Sequence, residues 1–225
     1  EIYYSRGGKA AALRAEHIIL ATGAIERPMP IPGWTLPGVM TAGAGQTMLK
    51  SSGLVPQGRL VITGSGPLLW LLAVQYGRAG VDIAALVETT PRGNYHQAVF
   101  KLPGLLREGT LLRQGRALRR ELKRQGVPHF KQAKDLRAMG DDQVEALRFA
   151  ANGQEHEIAC DLLLLHMGVT PNVQFTRALD LAHDWDQVQR CWRPRCGTAG
   201  ETEISNIRLA GDGAGIVGAG AAALQ

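Results

Sequence analysis

The apolar positions of this chain fall into short runs separated by glycine and proline, and the runs alternate between strand length and helix length. Leu60, Val61 and Ile62 make a run of strand type that Gly64 and Gly66 interrupt, and residues 68–76 form a denser apolar block long enough for a buried helix. Gly80 closes that helix, and residues 81–87 are a second buried strand ending on Glu88. Strand, glycine turn, helix and strand in this order predict a βαβ unit, and the rest of the chain is arranged around it.

Upstream, residues 2–5 and 11–13 flank Arg6-Gly7-Gly8-Lys9 and predict a β-hairpin, followed by a buried strand at 17–20. Small residues at Ala21, Thr22, Gly23 and Ala24 allow a backbone turn to pass close to something. Pro28, Pro30, Pro32 and Pro37 then forbid regular structure, so residues 25–38 read as a crossing segment. A short helix at 40–49 has Thr41 as its N-cap and stops at Ser51-Ser52-Gly53. Downstream, residues 96–102 are weakly helical and residues 111–125 form a basic helix ended by Gly126 and Pro128. Strands are expected at 129–139, 144–150, 155–159 and 162–167, the first three joined by turns at Gly140-Asp141-Asp142 and Asn152-Gly153 into a meander. Leu162 to Leu165 is apolar on both faces, which suits the inside of a parallel sheet. Residues 173–181 read as one or two helical turns, 184–192 are undecided, and a short strand at 206–210 leads into Gly211-Asp212-Gly213 and a helix of small residues.

The chemistry sits at the glycine turn. A strand running through a tight turn into a helix aims free N–H groups and about half a positive charge at an anion, as a pyrophosphate requires. Gly64 allows the turn, Ser65 lies within it, Gly66 lets backbone approach phosphate, and Pro67 and Leu68 open the helix where one N–H is dispensable. Leu69 stands where a third small residue is usual, so the fingerprint is GxGxxL. Glu88 ends the second strand at about the offset where a carboxylate meets a ribose.

Composition narrows the partners. With 225 residues, 45% of them hydrophobic, the chain has material for one or two domains. No apolar run approaches the roughly 20 residues of a membrane span, although association with a membrane surface stays open. The net charge of +5 owes much to residues 107–124, read as a solvated helix face or a docking site for an acidic partner; no aromatic pattern accompanies it, so nucleic acid is not expected. Cys160, Cys191 and Cys196 are too few for a disulfide framework and suggest the cytoplasm. They also lack the further ligands of a metal site. His96, His129, His156, His166 and His183 are scattered and read as structural, and no catalytic group is legible from spacing.

Four landmarks in fixed order, Ala21-Thr22-Gly23, the turn at Gly64, Gly168-Val169-Thr170-Pro171-Asn172 and Ala210-Gly211-Asp212-Gly213, resemble the pyridine nucleotide-disulfide oxidoreductase superfamily. The resemblance implies an α/β fold in which a Rossmann-like NAD-type domain with a β-meander, residues 55–169, is inserted in an FAD-binding domain made of residues 1–54 and 170–225. Asp212 would then accept a hydrogen bond from the flavin ribityl chain. The family's first glycine turn would precede Glu1, so the sequence reads as an excised piece that does not hold FAD tightly by itself. Cys191 and Cys196 have a C-x4-C spacing found in flavin disulfide reductases, but here they flank Pro194 in a strand-like segment, away from the family's helical position.

Within the superfamily, residues 32–44 and Gly64-Ser65-Gly66-Pro67-Leu68-Leu69 are similar to the A-type subunits of opine oxidases, hydrogen cyanide synthase and related amine dehydrogenases. That likeness implies a second flavoprotein subunit, a small amine or amino-acid substrate oxidised at a C–N bond, and NAD or ATP in the inserted domain. A non-catalytic nucleotide-binding scaffold and a stand-alone NADH-dependent flavin reductase are the alternatives.

Overall fold

The computed structural model describes residues 1–91, 93, 109–218 and 222, without the side chains of residues 67, 109–112 and 114. The chain forms two compact units, residues 1–25 with 169–225 and residues 26–168. The first opens with a hairpin of β1 (Ile2–Arg6) and β2 (Lys9–Leu13), turned at two positive-φ glycines, Gly7 and Gly8. Next come β3 (Ile18–Leu20) and β4 (Ala24–Glu26), whose last residue begins the second unit.

The second unit is built on a five-stranded parallel sheet. Its strands are β5 (Val39–Thr41), β6 (Leu60–Gly64), β7 (Ile83–Glu88), β8 (His129–Lys131) and, arriving late in the chain, β12 (Leu162–His166), in the order β5-β12-β6-β7-β8. On one face lie α1 (Ala42–Ser52), α2 (Pro67–Arg78) and the basic helix α3 (Gly109–Arg124). The other face is covered by a three-stranded antiparallel meander of β9 (Lys134–Met139), β10 (Ala146–Ala151) and β11 (Gln154–Ala159). Strand alternation sends Leu60, Ile62, Leu86 and Leu164 to the helices and Val61, Val87, Leu163 and Leu165 to the meander, where Leu147 and Phe149 meet them. Both faces of the sheet are therefore dry, which is why its strands carry apolar runs rather than an alternating pattern.

Three expectations change. Residues 129–139 are two strands, because the chain leaves the parallel sheet at Gln132 (φ 57°) and joins the meander, with Asp135 also at positive φ. Residues 26–54, expected to go with residues 1–25, pack with the second unit. β5 extends the parallel sheet, and the proline-rich stretch lies against the meander, Ala138 and Val144 donating to the carbonyls of Pro32 and Pro37 at 2.9 and 2.8 Å. The undecided stretch contributes a hairpin, described next. The patch at 96–102 lies outside the described residues.

The first unit resumes with β13 (Val169–Pro171), paired with β4, and α4 (Gln174–Ala178). A hairpin of β14 (His183–Asp186) and β15 (Cys191–Pro194) follows, pinned by an edge-on pair of Trp185 and Trp192. β16 (Ile207–Leu209) pairs in parallel with β3 and runs into a 3-10 turn at Gly211–Gly213.

Candidate nucleotide-binding site

Register sets the site. β12 and β6 pair with His166 opposite Gly64, and β6 and β7 pair with Gly64 opposite Glu88. One row across the carboxyl ends of three adjacent strands therefore reads His166, Gly64, Glu88. It lies where strand order reverses, since α2 leads from β6 to β7 on one side while β12 lies on the other. Open parallel sheets hold ligands at that point.

Gly64 and Gly66 answer different needs. Gly64 has φ 133°, and a Cβ there would collide with the carbonyl oxygen of His166, to which the Ser65 N–H donates at 2.9 Å. This glycine lets β6 and β12 lie close. Gly66, the N-cap of α2, has φ 105°, and a Cβ on it would find only the His166 ring, at 3.8 Å. The space above it is thus open over the first turn of α2, where Pro67 lacks an N–H and the following N–H groups have no intrahelical acceptor. Leu69 is fully buried among Leu60, Ile62 and Leu164, so the departure from a small third residue is absorbed as core.

Glu88 is 6% exposed and already engaged: one oxygen accepts from the Thr90 hydroxyl at 3.2 Å and the other lies 3.1 Å from Nε2 of His129. His129 packs edge-on against Trp70 of α2, and the Arg119 guanidinium of α3 lies over the same indole, 5.1 Å from its centroid. Beyond Glu88 a cavity of about 720 Å³ opens between Thr89, Pro91, Gln132, Lys134, Asn152 and Gly153, within the size range of small-molecule sites.

At the other end of the row, His166 is 4% exposed and its Nδ1 lies 2.5 Å from Oε1 of Glu26. The second oxygen of Glu26 accepts from the Gly43 N–H at 2.6 Å, in the first turn of α1, where the helix dipole favours a carboxylate. With both Glu26 oxygens accepting, Nδ1 is the donor and the ring is fixed. The sequence reading missed both residues. His166 had one legible signal, its place at the end of an all-leucine strand immediately before Gly168; Glu26 had none, since only the fold brings it there.

The flavin-side landmarks meet within the first unit. The Thr22 hydroxyl donates to the Asn172 carbonyl at 3.1 Å, Asn172 N–H donates to Gly23 at 2.9 Å, and the Ala210 N–H donates to Leu20 at 3.1 Å. A Cβ on Gly213 would lie 2.9 Å from the Thr22 hydroxyl, so the turns at Ala21 to Gly23 and Gly211 to Gly213 are neighbours. One oxygen of Asp212 accepts from the N–H groups of Val217 and Gly218, and Gln189 clasps the backbone of Ile216 through both its amide atoms. The helix expected directly after Gly213 gives way to this capped loop through Gly218, and Ala222, which is helical, donates to the Gly218 carbonyl at 2.9 Å. Gly168, at φ 86°, belongs to the second unit and accepts from the Arg27 N–H at 2.9 Å. Of the remaining histidines described, His156 stacks on Phe149, and His183 bonds Thr176 and the Leu181 carbonyl. Cys191 is buried, with its thiol 3.9 Å from Oε1 of Gln189, Cys196 is partly buried, and the two are not joined in a disulfide.

The pyridine nucleotide-disulphide oxidoreductase family model matches residues 3–225. The A-type subunit of opine oxidase from Agrobacterium tumefaciens is 39% identical over 216 residues, covering 96% of this chain and 42% of that protein. Hydrogen cyanide synthase subunit HcnB of Pseudomonas aeruginosa is 34% identical over 214 residues, covering 92% and 45%. The chain thus spans less than half the length of these curated relatives. Among solved structures, thioredoxin reductase of T. acidophilum superposes with a TM-score of 0.63 at 16% identity, covering 99% of this chain and 65% of that one.

Proposed function

Because the chain belongs to the pyridine nucleotide-disulphide oxidoreductase family, and so among FAD-dependent oxidoreductases, we propose that its second unit binds NAD within a subunit that oxidises the C–N bond of an amine, opine or amino acid. The observation that carries the nucleotide reading is the pairing of Gly64 with Glu88 at the carboxyl edge, beside the open first turn of α2. Gly66 and the N–H groups of α2 would cradle the diphosphate, Glu88 would accept from the adenosine ribose, and the cavity beyond it would take the adenine. In the first unit, Thr22, Gly23 and Asp212 would face the flavin. FAD, when bound, supplies the electron acceptor for C–N oxidation; this chain's residues bind and orient. The names of the relatives, which belong to subunits of an opine oxidase and of a hydrogen cyanide synthase, support the reading of this chain as part of an assembly with a partner subunit. Free thiols among the described residues agree with a cytoplasmic setting, and no described helix is long and apolar enough to cross a membrane.

Two measurements test this. Titration with NAD, NADP and ATP should give NAD the tightest binding, and tighter NADP or ATP would refute the nucleotide assignment. Expressing the protein with and without its neighbouring gene products, then following dye reduction with opines, sarcosine, proline and glycine, should show turnover only with the partner. Turnover by the protein alone would end the proposal of a second flavoprotein, and NADH oxidation with no amine consumed would favour a stand-alone reductase.

A further inference from the structure

We propose that His166, held by Glu26, is a ligand-contacting residue of the nucleotide edge, its Nε2 donating a hydrogen bond to the diphosphate cradled at Gly66. The inference rests on the nucleotide reading above and adds to it a charged contact from β12 that the glycine fingerprint does not contain.

Three observations converge. The imidazole is almost fully buried, yet Nε2 has no protein partner among the described residues, whereas Nδ1 is committed to Glu26. The free end of the ring faces the space above Gly66, since the ring carbon Cδ2 and Nε2 are what a Cβ at that position would meet, each at 3.8 Å. Glu26 in turn is anchored by the Gly43 N–H at the start of an 11-residue helix, so the carboxyl group holds the ring from the side away from Gly66 and leaves Nε2 to face that space. An imidazolium in this position presents one N–H to an anion; a neutral ring would present a lone pair, which a phosphate oxygen repels.

The charges around the ring bear on its titration. Glu26, on β4, is in direct contact. β12 and β6 carry no other titratable side chain, β5 carries none, and α1 brings none before Lys50. α2 carries no titratable side chain before Tyr76, whose hydroxyl donates to the Gly45 carbonyl at 2.9 Å. Along the row, Glu88 is engaged by His129. A proton gained on ligand binding is therefore assigned either to His166 or to the Glu88 and His129 pair, and substitution separates the two.

The test is calorimetric titration of the purified protein with NAD across the interval in which imidazoles change charge, about pH 5 to about pH 8. In the unaltered protein affinity should fall as pH rises through that interval, with proton uptake on binding. His166→Asn should weaken binding by about tenfold at the acid end, with little loss at the alkaline end, flattening the profile. His129→Asn should leave the slope in place. Glu26→Gln, which keeps an acceptor for Nδ1 but removes the charge, should shift the fall in affinity to lower pH. Should His166→Asn fail to fold, 15N spectra of histidine-labelled unaltered protein give the same answer: the Nε2 resonance of His166 should move to its protonated position on adding NAD. Binding by His166→Asn with unchanged affinity and pH profile, or an Nε2 signal indifferent to NAD, would overturn the inference while leaving the nucleotide reading intact. Absence of NAD binding by the unaltered protein would overturn both.

Discussion

Replacing Glu88 with glutamine should sharply reduce discrimination between NAD and NADP while keeping the shape of the site. The carboxylate ends β7 opposite Gly64 and is 6% exposed, so its charge acts in a poorly solvated place. For NAD, the change turns a charge-assisted bond to the ribose into a neutral one. Charged bonds contribute about 1.5–3 kcal/mol and neutral ones about 0.5–1.5, so the loss is about 1–1.5 kcal/mol, or roughly fivefold to tenfold in affinity. For NADP the sign reverses. A carboxylate about 4 Å from a phosphate charge is repelled by about 4 kcal/mol at an effective dielectric of 20, a ceiling that a protonated His129, 3.1 Å away, would lower. The unaltered protein should thus prefer NAD by about a hundredfold, and Glu88→Gln should bring the two nucleotides within about tenfold of each other. Calorimetric titration of each with both proteins measures the four affinities directly. Lys134, lining the cavity beyond Glu88, and Lys131, the register neighbour of Glu88 on β8, are described cations that could meet a 2′-phosphate; Arg92 lies outside the described residues. An unchanged ratio in Glu88→Gln, or a preference of the unaltered protein for NADP, would refute the reasoning.

Further outcomes follow from the same geometry. Leu69→Gly, which restores the commoner fingerprint, should destabilise by about 3 kcal/mol or more, because a fully buried leucine leaves a cavity and glycine weakens the helix; urea unfolding measures it. Gly64→Ala should lower stability by about 3 kcal/mol, seen as a fall in Tm, since the new methyl meets the His166 carbonyl and β6 must move away from β12. Cys160 is buried, and burial together with the nearby Asp161 carboxylate pushes its thiol up to about 11, so at pH 8 only about one molecule in a thousand carries the thiolate. Alkylation should reach Cys196 first and Cys160 only on unfolding. Because that thiol keeps its proton longer in the folded state, its contribution to stability should decline as pH rises above the unfolded value near 9.

The βαβ unit was legible because glycine punctuation and buried apolar runs are local signals. The run Leu162 to Leu165 was likewise read as an inner strand of a parallel sheet, and it pairs on both sides with β5 and β6. What stayed hidden depended on pairing. Residues 129–139 look like one strand because nothing in their composition marks the change of sheet, and Gln132 takes a positive φ that no glycine announces. His129 and His166 looked scattered for the same reason: sequence separation conceals that β8 starts beside β7, which brings His129 to Glu88, and that β12 ends beside Gly64. Glu26 sits among prolines that predict only irregular backbone, and its partner lies 140 residues away.

The unequal duties of Gly64 and Gly66 govern what descent can teach about this fold. A lineage that stopped using a nucleotide would still be held to glycine at 64, because the two strands cannot meet around a larger residue. At 66 the space above is vacant, but the backbone angles, φ 105° and ψ 167°, are open essentially to glycine alone, so this glycine is held by conformation where Gly64 is held by contact. Loss of the ligand would therefore free neither position, and descent would record it at the side chains around that space instead.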